Sequence, residues 1–376
     1  MDFSLSEEQQ MLKDSAAKWV KKECQFEQRR KIMHTKEGYS DAQWKQFAEL
    51  GWLCVPFSEQ YGGIGGSMVD VMVLLEELGK GLMVEPWLST VILGGRLVEL
   101  QGSEQQKQEI LPSLCEGGIK MALAYNEIGA RQQVENIAMT GELSGDDYVL
   151  NGKKTVVLSA EAADQLLVVA RTSGKPGDSA GLTVFVVDPS QQGVTLSGYP
   201  TMDGYRAADI EFDQVRVPPS AILGQTHTAY ESLEQVLMEA IITVGADAVG
   251  TMELLYQTTV EYSKTRKQFG TPIGKFQVLQ HRMVDMFMHY EQSKSVLLMA
   301  VLHYVEGFDE VNKSISGLKV QIGKAGRKIG QEAVQLHGGM GMTDELDVGY
   351  YFKRLTCIDA LFGNVDHHLS KYAEMV

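Results

Sequence analysis

The sequence has few cysteines and none of the spacings that cysteine chemistry requires. Only four occur in 376 residues, at Cys24, Cys54, Cys115 and Cys357, far apart and without a CxxC pair. Residues 1 to 30 alternate charged and apolar positions, which is typical of an amphipathic helix and not of a secretory leader. We therefore expect four reduced thiols and a cytoplasmic protein.

Basic residues are also fewer than acidic ones, 34 against 49. The formal net charge is -15 and the isoelectric point is near 5.0. Nucleic acids and anionic membranes attract basic patches, so this balance argues against both as partners. No apolar run approaches the length of a membrane span, and we expect no membrane insertion.

Several catalytic patterns are missing. The eight histidines are scattered, and adjacent positions such as His367 and His368 point apart on a helix, so we expect no metal site. No GxSxG motif occurs in a plausible context, which argues against a serine hydrolase. The glycine cluster from Gly62 to Gly66 follows no buried strand and lacks the GxGxxG order of a dinucleotide fold, so we interpret it as a loop.

The patterns that are present indicate an α+β protein with three domains. Apolar spacing typical of helices fills residues 1–118, short β-rich runs separated by glycine and aspartate turns fill 119–224, and helical spacing returns over 225–376. A chain of this length exceeds one comfortable core, which agrees with several domains.

The central feature is the stretch from Arg266 to Gln277. A 3.6-residue apolar period runs up to it and another begins after it, so it is predicted to be a tight turn between two long helices. It places an arginine, glutamines and two phenylalanines at one end of a helical bundle. Such a set can hold a planar or phosphorylated ligand. An ordinary helical hairpin is the alternative.

A second motif, Gln335 to Gly341, carries glycines at 338, 339 and 341. These let a backbone approach a ligand closely, while Gln335 and His337 offer hydrogen bonds. A simple helix break is the alternative interpretation here.

Both motifs resemble signatures of the FAD-dependent acyl-CoA dehydrogenases. The similarity extends over the whole chain, from Asp2-Phe3 onward, through Tyr61–Gly66 and Leu150–Lys154 to Phe212–Pro218, in the family's order. It implies an N-terminal all-α domain, a middle β-barrel or sandwich domain and a C-terminal four-helix bundle. It also implies FAD as cofactor, an acyl-CoA thioester as substrate and an electron-transfer flavoprotein as acceptor.

The resemblance further implies which residues bind the cofactor. In this family the matching positions hold the adenosine and diphosphate part of a flavin that belongs chiefly to a neighbouring subunit. These positions are Arg266, Gln268, Phe269, Phe276, Gln277, Gln335, Gly338 and Gly339.

The catalytic base of the family is missing from both of its usual positions. A glutamate there removes the α-proton while the β-hydrogen leaves as hydride to the flavin. Counting 27 residues beyond Gln335 reaches Phe362, and counting 26 back from Arg266 reaches Ala240. Glu239 is one residue off, about 100° around a helix, and is a weak candidate that we expect to be a solvated or interface residue.

Other family motifs that border the flavin ring and the acyl group are also altered. The loop 126–133 has lost most of its signature, Val156–Leu158 replaces a Trp-Ile-Thr segment, and Ile241 replaces an arginine of the acyl-CoA cleft. Only the motifs for the neighbour's flavin are intact. The chain therefore resembles the base-lacking partner in heteromeric α2β2 bacterial dehydrogenases that degrade fatty acyl, dicarboxylic or steroid side-chain CoA esters.

Three alternatives stay open. The chain could form a self-sufficient homotetramer that uses Glu239 or another displaced base. It could be a flavin-dependent monooxygenase on the same fold, which needs no α-proton base. It could also be a pseudoenzyme that only binds CoA or flavin.

Overall fold

A computed structural model of the chain describes residues 4–130 and 132–376. Asp2 and Phe3 of the N-terminal similarity, and Arg131 of the altered loop, lie outside the described residues. The architecture is helical, then strand-rich, then helical, which confirms the predicted fold class.

The N-terminal part consists of helices whose starts are encoded locally. Ser6 caps the first helix, and its hydroxyl accepts from Gln9 N while the Gln9 side chain accepts from Ser6 N. One segment, Leu88–Arg96, is a π-helix, which the sequence pattern did not predict. The α-helices are α1 (Glu7–Glu23), α2 (Phe26–Met33), α3 (Asp41–Glu49), α4 (Met68–Lys80), α5 (Leu97–Gln101) and α6 (Glu104–Cys115).

The middle part is one seven-stranded sheet in the order β1-β4-β2-β3-β7-β6, branched where β5 pairs antiparallel with β4. Its buried face is built from the alternate apolar residues of these strands, including Leu150, Val168, Phe185 and Ile210. The strands are β1 (Met121–Ala124), β2 (Thr140–Ser144), β3 (Asp147–Leu158), β4 (Gln165–Arg171), β5 (Leu182–Val187), β6 (Val194–Pro200) and β7 (Arg206–Val217).

The C-terminal part returns to helices, with α9 packed against α8, α10 and α11. The longest helix, α7, does meet the length and hydropathy of a membrane span, contrary to our expectation, but 83% of its most apolar window is buried, which is typical of a core helix. The helices are α7 (Ala229–Thr265), α8 (Gln277–Val305), α9 (Val311–His337), α10 (Val348–Ala360) and α11 (Val365–Glu374).

The chain forms two compact units that each combine distant segments. One contains the described residues up to Lys31 together with Met68–Met83 and Ile241–Val376, and the other contains Ile32–Ser67 and Val84–Ala240. The predicted domain limits 1–118, 119–224 and 225–376 remain a prediction. The two motifs of the sequence analysis, at 266–277 and 335–341, belong to the first unit.

Candidate functional site

The turn after α7 is a small β-hairpin and not only a helical connection. Arg266 N donates to Tyr262 O at 2.8 Å, and Lys267 and Gln268 then pair with Pro272 and Thr271 as strands β8 (Lys267–Gln268) and β9 (Thr271–Pro272). Ile273 N closes the hairpin by donating to Arg266 O at 2.9 Å. The backbone around Arg266 is thus fixed on both sides.

The tip of this hairpin holds an aromatic ring in an unfavourable conformation. Phe269 has φ of 53° and Gly270 has φ of 78°, the pair of positive angles that a tight two-residue hairpin turn requires. A bulky residue seldom adopts this left-handed region. The Phe269 ring is 93% exposed and touches Phe276 edge-on, at 6.3 Å between ring centroids. A strained, solvent-facing phenylalanine indicates a ligand or partner surface.

The arginine and three of the glutamines in the two motifs are available for binding. Across residues 4–130 and 132–376, no hydrogen bond or ion pair engages the side chains of Arg266, Gln268, Gln277 or Gln335, all of which are exposed. Lys267 and Lys275 add two exposed cations to the hairpin. The surface is therefore cationic and rich in amide donors.

The second motif follows directly from the end of α9. Gly338 has φ of 63° and ψ of -139°, and Gly338–Met342 continues as a 3-10 turn. A Cβ added at Gly338 or Gly339 would meet nothing within 4 Å, whereas one at Gly341 would lie 2.8 Å from Val334 O. Gly341 is thus required by packing, while Gly338 and Gly339 border open space.

His337 joins the two motifs and does not serve as a free hydrogen-bonding group. Its ring is buried, its Nδ1 lies 2.9 Å from Ala333 O, and it stacks on Tyr262 with 4.2 Å between ring centroids. Burial lowers the pKa of His337, which favours the neutral ring. Tyr262 is one helical turn before Arg266, so this stack fixes the glycine motif beside the hairpin.

The two motifs together fit the adenosine diphosphate part of FAD. A diphosphate needs cationic and N–H donors, which Arg266 and the three glutamines supply, and an adenine needs an aromatic neighbour, which Phe269 and Phe276 supply. The open space above Gly338 and Gly339 lets a ligand approach the backbone. Sequence reasoning predicted all of these residues, and the structure brings the two motifs together.

Glu239, the weak candidate for a base, is held in an ion pair. Arg96 Nε and Nη2 donate to its Oε2 and Oε1, each at 2.8 Å, and the carboxylate is fully buried. Arg96 also contacts the carboxylate of Glu99 and the carbonyl of Pro56. The expectation of a solvated or interface residue is wrong. Both oxygens of this carboxylate are engaged by one guanidinium within the chain.

The other base position is built around a phenylalanine. Phe362 is buried with φ of 57°, and its carbonyl accepts from His368 Nε2 at 2.9 Å. Lys319 Nζ donates to the carbonyls of Ile358 and Leu361, both at 2.7 Å, and so caps the end of α10. These hydrogen bonds hold the loop that follows α10, and the loop carries no carboxylate at position 362.

The altered segments 126–133 and 156–158 are tied to each other and to the sheet. Thr155 N donates to Asn126 O at 2.9 Å, and Val156 N donates to Asp209 Oδ1 at 3.1 Å. Glu127 accepts from Ala138 N at 2.8 Å and from the buried Lys154 Nζ at 2.6 Å. Burial lowers the pKa of Lys154 to about 8, and the Glu127 carboxylate opposes that shift. These polar groups bind one another instead of facing a ligand.

Sequence reasoning missed Arg96, Asp209 and Lys319. Each acts over a long separation in the chain, 143 residues for Arg96 with Glu239 and 53 for Asp209 with Val156. No local pattern marks such pairs. A buried polar residue inside an apolar helix, such as Lys319 in α9, is the one available signal, since a charge there requires a partner.

Known proteins with related sequences identify the family. Models for the N-terminal, middle and C-terminal domains of acyl-CoA dehydrogenase match residues 6–118, 122–215 and 231–376. A probable acyl-CoA dehydrogenase of Bacillus subtilis, YngJ, is 29% identical over 93% of this chain and 92% of its own length.

Two solved structures are similar over nearly all of both chains. The FAD complex of PigA superposes with a TM-score of 0.92 at 26% identity and covers 100% of this chain and 99% of its own. A variant of the steroid acyl-CoA dehydrogenase Tcur3481-Tcur3483 superposes with a TM-score of 0.88 at 25% identity and covers 99% and 98%. Together with the motifs, these likenesses assign FAD as the cofactor.

Proposed function

Because the chain belongs to the acyl-CoA dehydrogenase family of oxidoreductases, we propose that it is the partner chain of an α2β2 acyl-CoA dehydrogenase. It completes an FAD site for a related chain, and that related chain carries the glutamate base. The reaction of the complex is the α,β-dehydrogenation of an acyl-CoA thioester.

One observation carries this proposal. The residues that match the neighbour's flavin, such as Arg266 and Gln335, are exposed and have no partner among the described residues. Glu239, which lies beside the chain's own base position, and Val156 N, which lies at its flavin-ring position, are already bound within the fold. A chain that acted alone would need both sets to face ligands.

The proposed role of each group follows from its chemistry. FAD, when bound, supplies the acceptor for the hydride that leaves the β-carbon. Arg266 neutralises the diphosphate, the glutamines orient it, and Phe269 and Phe276 pack beside the adenine. None of these groups takes the α-proton, so a carboxylate from the related chain is needed for that step.

The relatives support a partner of this kind. The name Tcur3481-Tcur3483 combines two components in one steroid acyl-CoA dehydrogenase. We propose that the substrate is the CoA ester of a fatty acyl or steroid side-chain group. The electron acceptor we propose is an electron-transfer flavoprotein, in the cytoplasm.

Flavin content tests the proposal. We expect the chain purified alone to hold clearly less than one FAD per chain, and the complex made by co-expression with a glutamate-bearing homologue from the same genome to hold full FAD. Absorbance of released flavin against protein concentration gives the ratio, and native mass spectrometry gives the assembly. The same samples are assayed for acyl-CoA oxidation with an artificial electron acceptor.

Full FAD occupancy of the lone chain with dehydrogenase turnover would instead support a homotetramer with a displaced base. Full occupancy without turnover, in the absence of any partner, would support a flavin-binding pseudoenzyme. Both outcomes contradict the heteromeric assignment.

A further inference from the structure

A cluster of three charged residues links α8 to α9 close to the glycine motif. Arg282 Nη1 in α8 lies 3.1 Å from Glu332 Oε2 in α9, and Lys328 Nζ lies 2.9 Å from Glu332 Oε1. The Glu332 side chain is only 13% exposed, whereas both cations are partly open to solvent. The Glu332 carboxylate therefore joins two helices and is not a solvated surface charge.

The cluster lies on the face of α9 that carries the second motif. Lys328, Glu332 and Gln335 follow one another at spacings of four and three residues, so they line one face of the helix. Glu332 and Gln335 are separated by roughly 4.5 Å along the helix axis. On α8, Arg282 lies roughly 7.5 Å along the axis from Gln277, where the helix begins. The ion pair thus joins α8 and α9 directly behind the residues expected to meet FAD.

Other contacts hold the remaining elements at this end of the helical bundle. The stack of Tyr262 on His337 ties α7 to α9. Gln280 Nε2 donates to Gly274 O at 2.9 Å, which ties the start of α8 to the hairpin. The ion pair of Glu332 supplies the link between α8 and α9.

We propose that Glu332 is a positioning residue for FAD. Paired with Arg282, it holds α9 against α8, so that Gln335 and the hairpin meet the same diphosphate. A ligand that contacts two elements binds more tightly when their spacing is fixed beforehand, because less freedom is lost on binding. This role rests on the FAD site proposed above for the hairpin and the glycine motif. It needs no contact between Glu332 and the cofactor.

The negative charge of Glu332 makes a positioning role distinguishable from a purely electrostatic one. A carboxylate near a diphosphate repels it, so loss of that charge alone should tighten FAD binding. Loss of the link between α8 and α9 should instead weaken binding, because the two motifs are no longer held at one spacing. The direction of the change in FAD affinity therefore decides between the two roles.

Titration of FAD into the flavin-free complex, assembled with wild-type partner chains, tests the positioning role. We expect Glu332→Gln to lower FAD affinity roughly fivefold, a typical coupling between residues in contact. Glu332→Asp keeps the carboxylate and should bind FAD more tightly than Glu332→Gln. Circular dichroism of each lone chain shows whether the variants fold. Unchanged or tighter FAD binding by Glu332→Gln would overturn the proposal.

A double variant tests whether the effect passes through the ion pair. Arg282→Met breaks the same pair from α8 and should also weaken FAD binding. Because both substitutions remove one contact, the double variant should bind FAD no more weakly than Arg282→Met alone. Losses that simply add would show that the two residues act separately, and would contradict the proposed link.

Asp359→Asn is the matched control for a broken ion pair on α9. The Asp359 side chain is 14% exposed and lies 3.1 Å from Arg327 of α9, but it belongs to the end of α10. We expect this variant to keep its FAD affinity within about twofold of wild type. A loss equal to that of Glu332→Gln would mean that any broken ion pair on α9 lowers affinity, and would overturn the specific role.

Arg266→Ala in the same titration separates the role of Glu332 from the FAD site on which it rests. Weaker binding by Arg266→Ala, with unchanged binding by Glu332→Gln, would overturn the positioning role alone. Unchanged binding by both variants would overturn the FAD site at the hairpin as well.

Discussion

Two regions of the molecule differ in whether their polar groups have partners within the chain. One is the hairpin surface around Arg266, and the other comprises the segments around Val156 and Glu239. At the hairpin, arginine and glutamine side chains face solvent with no partner in the described chain, and a phenylalanine is strained and exposed. Around Val156 and Glu239, backbone amides and carboxylates have partners within the same unit. The exposed side chains of the first region are free to contact a ligand or another chain.

Under the proposed function, this contrast distinguishes the site that the chain keeps from the one that it lacks. Buried polar groups require partners, so a fold that no longer binds a ligand must satisfy the groups that the ligand once satisfied. Arg96 and Asp209 provide such partners here. A surface that still awaits its ligand can leave its donors to water, as Arg266 does.

The largest effect is expected from a substitution in the buried ion pair of Glu239 with Arg96. Glu239→Gln leaves the Arg96 guanidinium short of one carboxylate in a buried setting, which typically costs roughly 3 kcal/mol. We expect a clear fall in the thermal unfolding midpoint, measured by circular dichroism. The turnover of the assembled complex should change only a few-fold, because under the proposed function Glu239 removes no proton.

Glu99→Gln is the matched control, since Glu99 contacts the same guanidinium but is more exposed, and it should cost less. A drop of several orders of magnitude in turnover for Glu239→Gln, with unchanged stability, would make Glu239 the catalytic base and reverse the comparison.

A smaller effect is expected from a substitution of Arg266 on the exposed hairpin surface. Arg266→Ala removes a charge-assisted contact to the diphosphate, worth roughly 1.5 to 3 kcal/mol or about ten- to a hundredfold in FAD affinity. Arg266→Lys keeps the charge but loses the planar fork, so its affinity should fall between those of alanine and wild type. Titration of FAD into apo complex, with wild-type partner chains, measures both.

The unfolding midpoint of the lone Arg266→Ala chain should stay unchanged, because the side chain has no partner in the described chain. Lys264→Ala, which removes an exposed cation one residue before the end of α7, is the control for a general loss of charge. Lower stability with unaltered FAD affinity would mean that Arg266 only holds the hairpin.

The smallest effect concerns Phe269. Phe269→Asn relieves the left-handed strain, worth about 1 kcal/mol, and loses an exposed ring pair of similar worth, so stability should be nearly unchanged. FAD affinity should fall about fivefold, since one aromatic contact typically contributes about 1 kcal/mol. Phe308→Asn, at another exposed phenylalanine, should leave FAD affinity intact. A large loss of stability with unchanged affinity would assign the ring to the chain's own packing.

The fold could be predicted from the sequence, and the residues of the hairpin surface could be singled out, because both rest on local signals. Helical spacing, β-rich runs and short motifs such as 266–277 need no knowledge of distant contacts. The β-hairpin at Lys267–Pro272 was missed since two-residue strands have no periodicity. The π-helix Leu88–Arg96 was missed for a different reason, because its apolar pattern resembles that of an α-helix.

The contacts of buried polar residues such as Glu239 and Lys319 could not be predicted from local signals. Whether Glu239 is solvated or paired depends on Arg96, which is distant in sequence, and the helical period around Glu239 does not record that partner. The role of Lys319 likewise depends on the end of α10. The altered motifs predict that the base is absent, whereas the contacts around Glu239 become visible only in the structure.

The bond between Val156 N and Asp209 has a consequence for the history of such a chain. Asp209 Oδ1 also accepts from the Tyr199 hydroxyl at 3.0 Å, and Asn126 holds Thr155 alongside. To regain a flavin-ring segment, a descendant would have to give up several of these bonds before any ligand replaced them. Each single step would cost stability without a return in activity. If the chain depends on a partner as proposed, that dependence would be hard to reverse by gradual substitution.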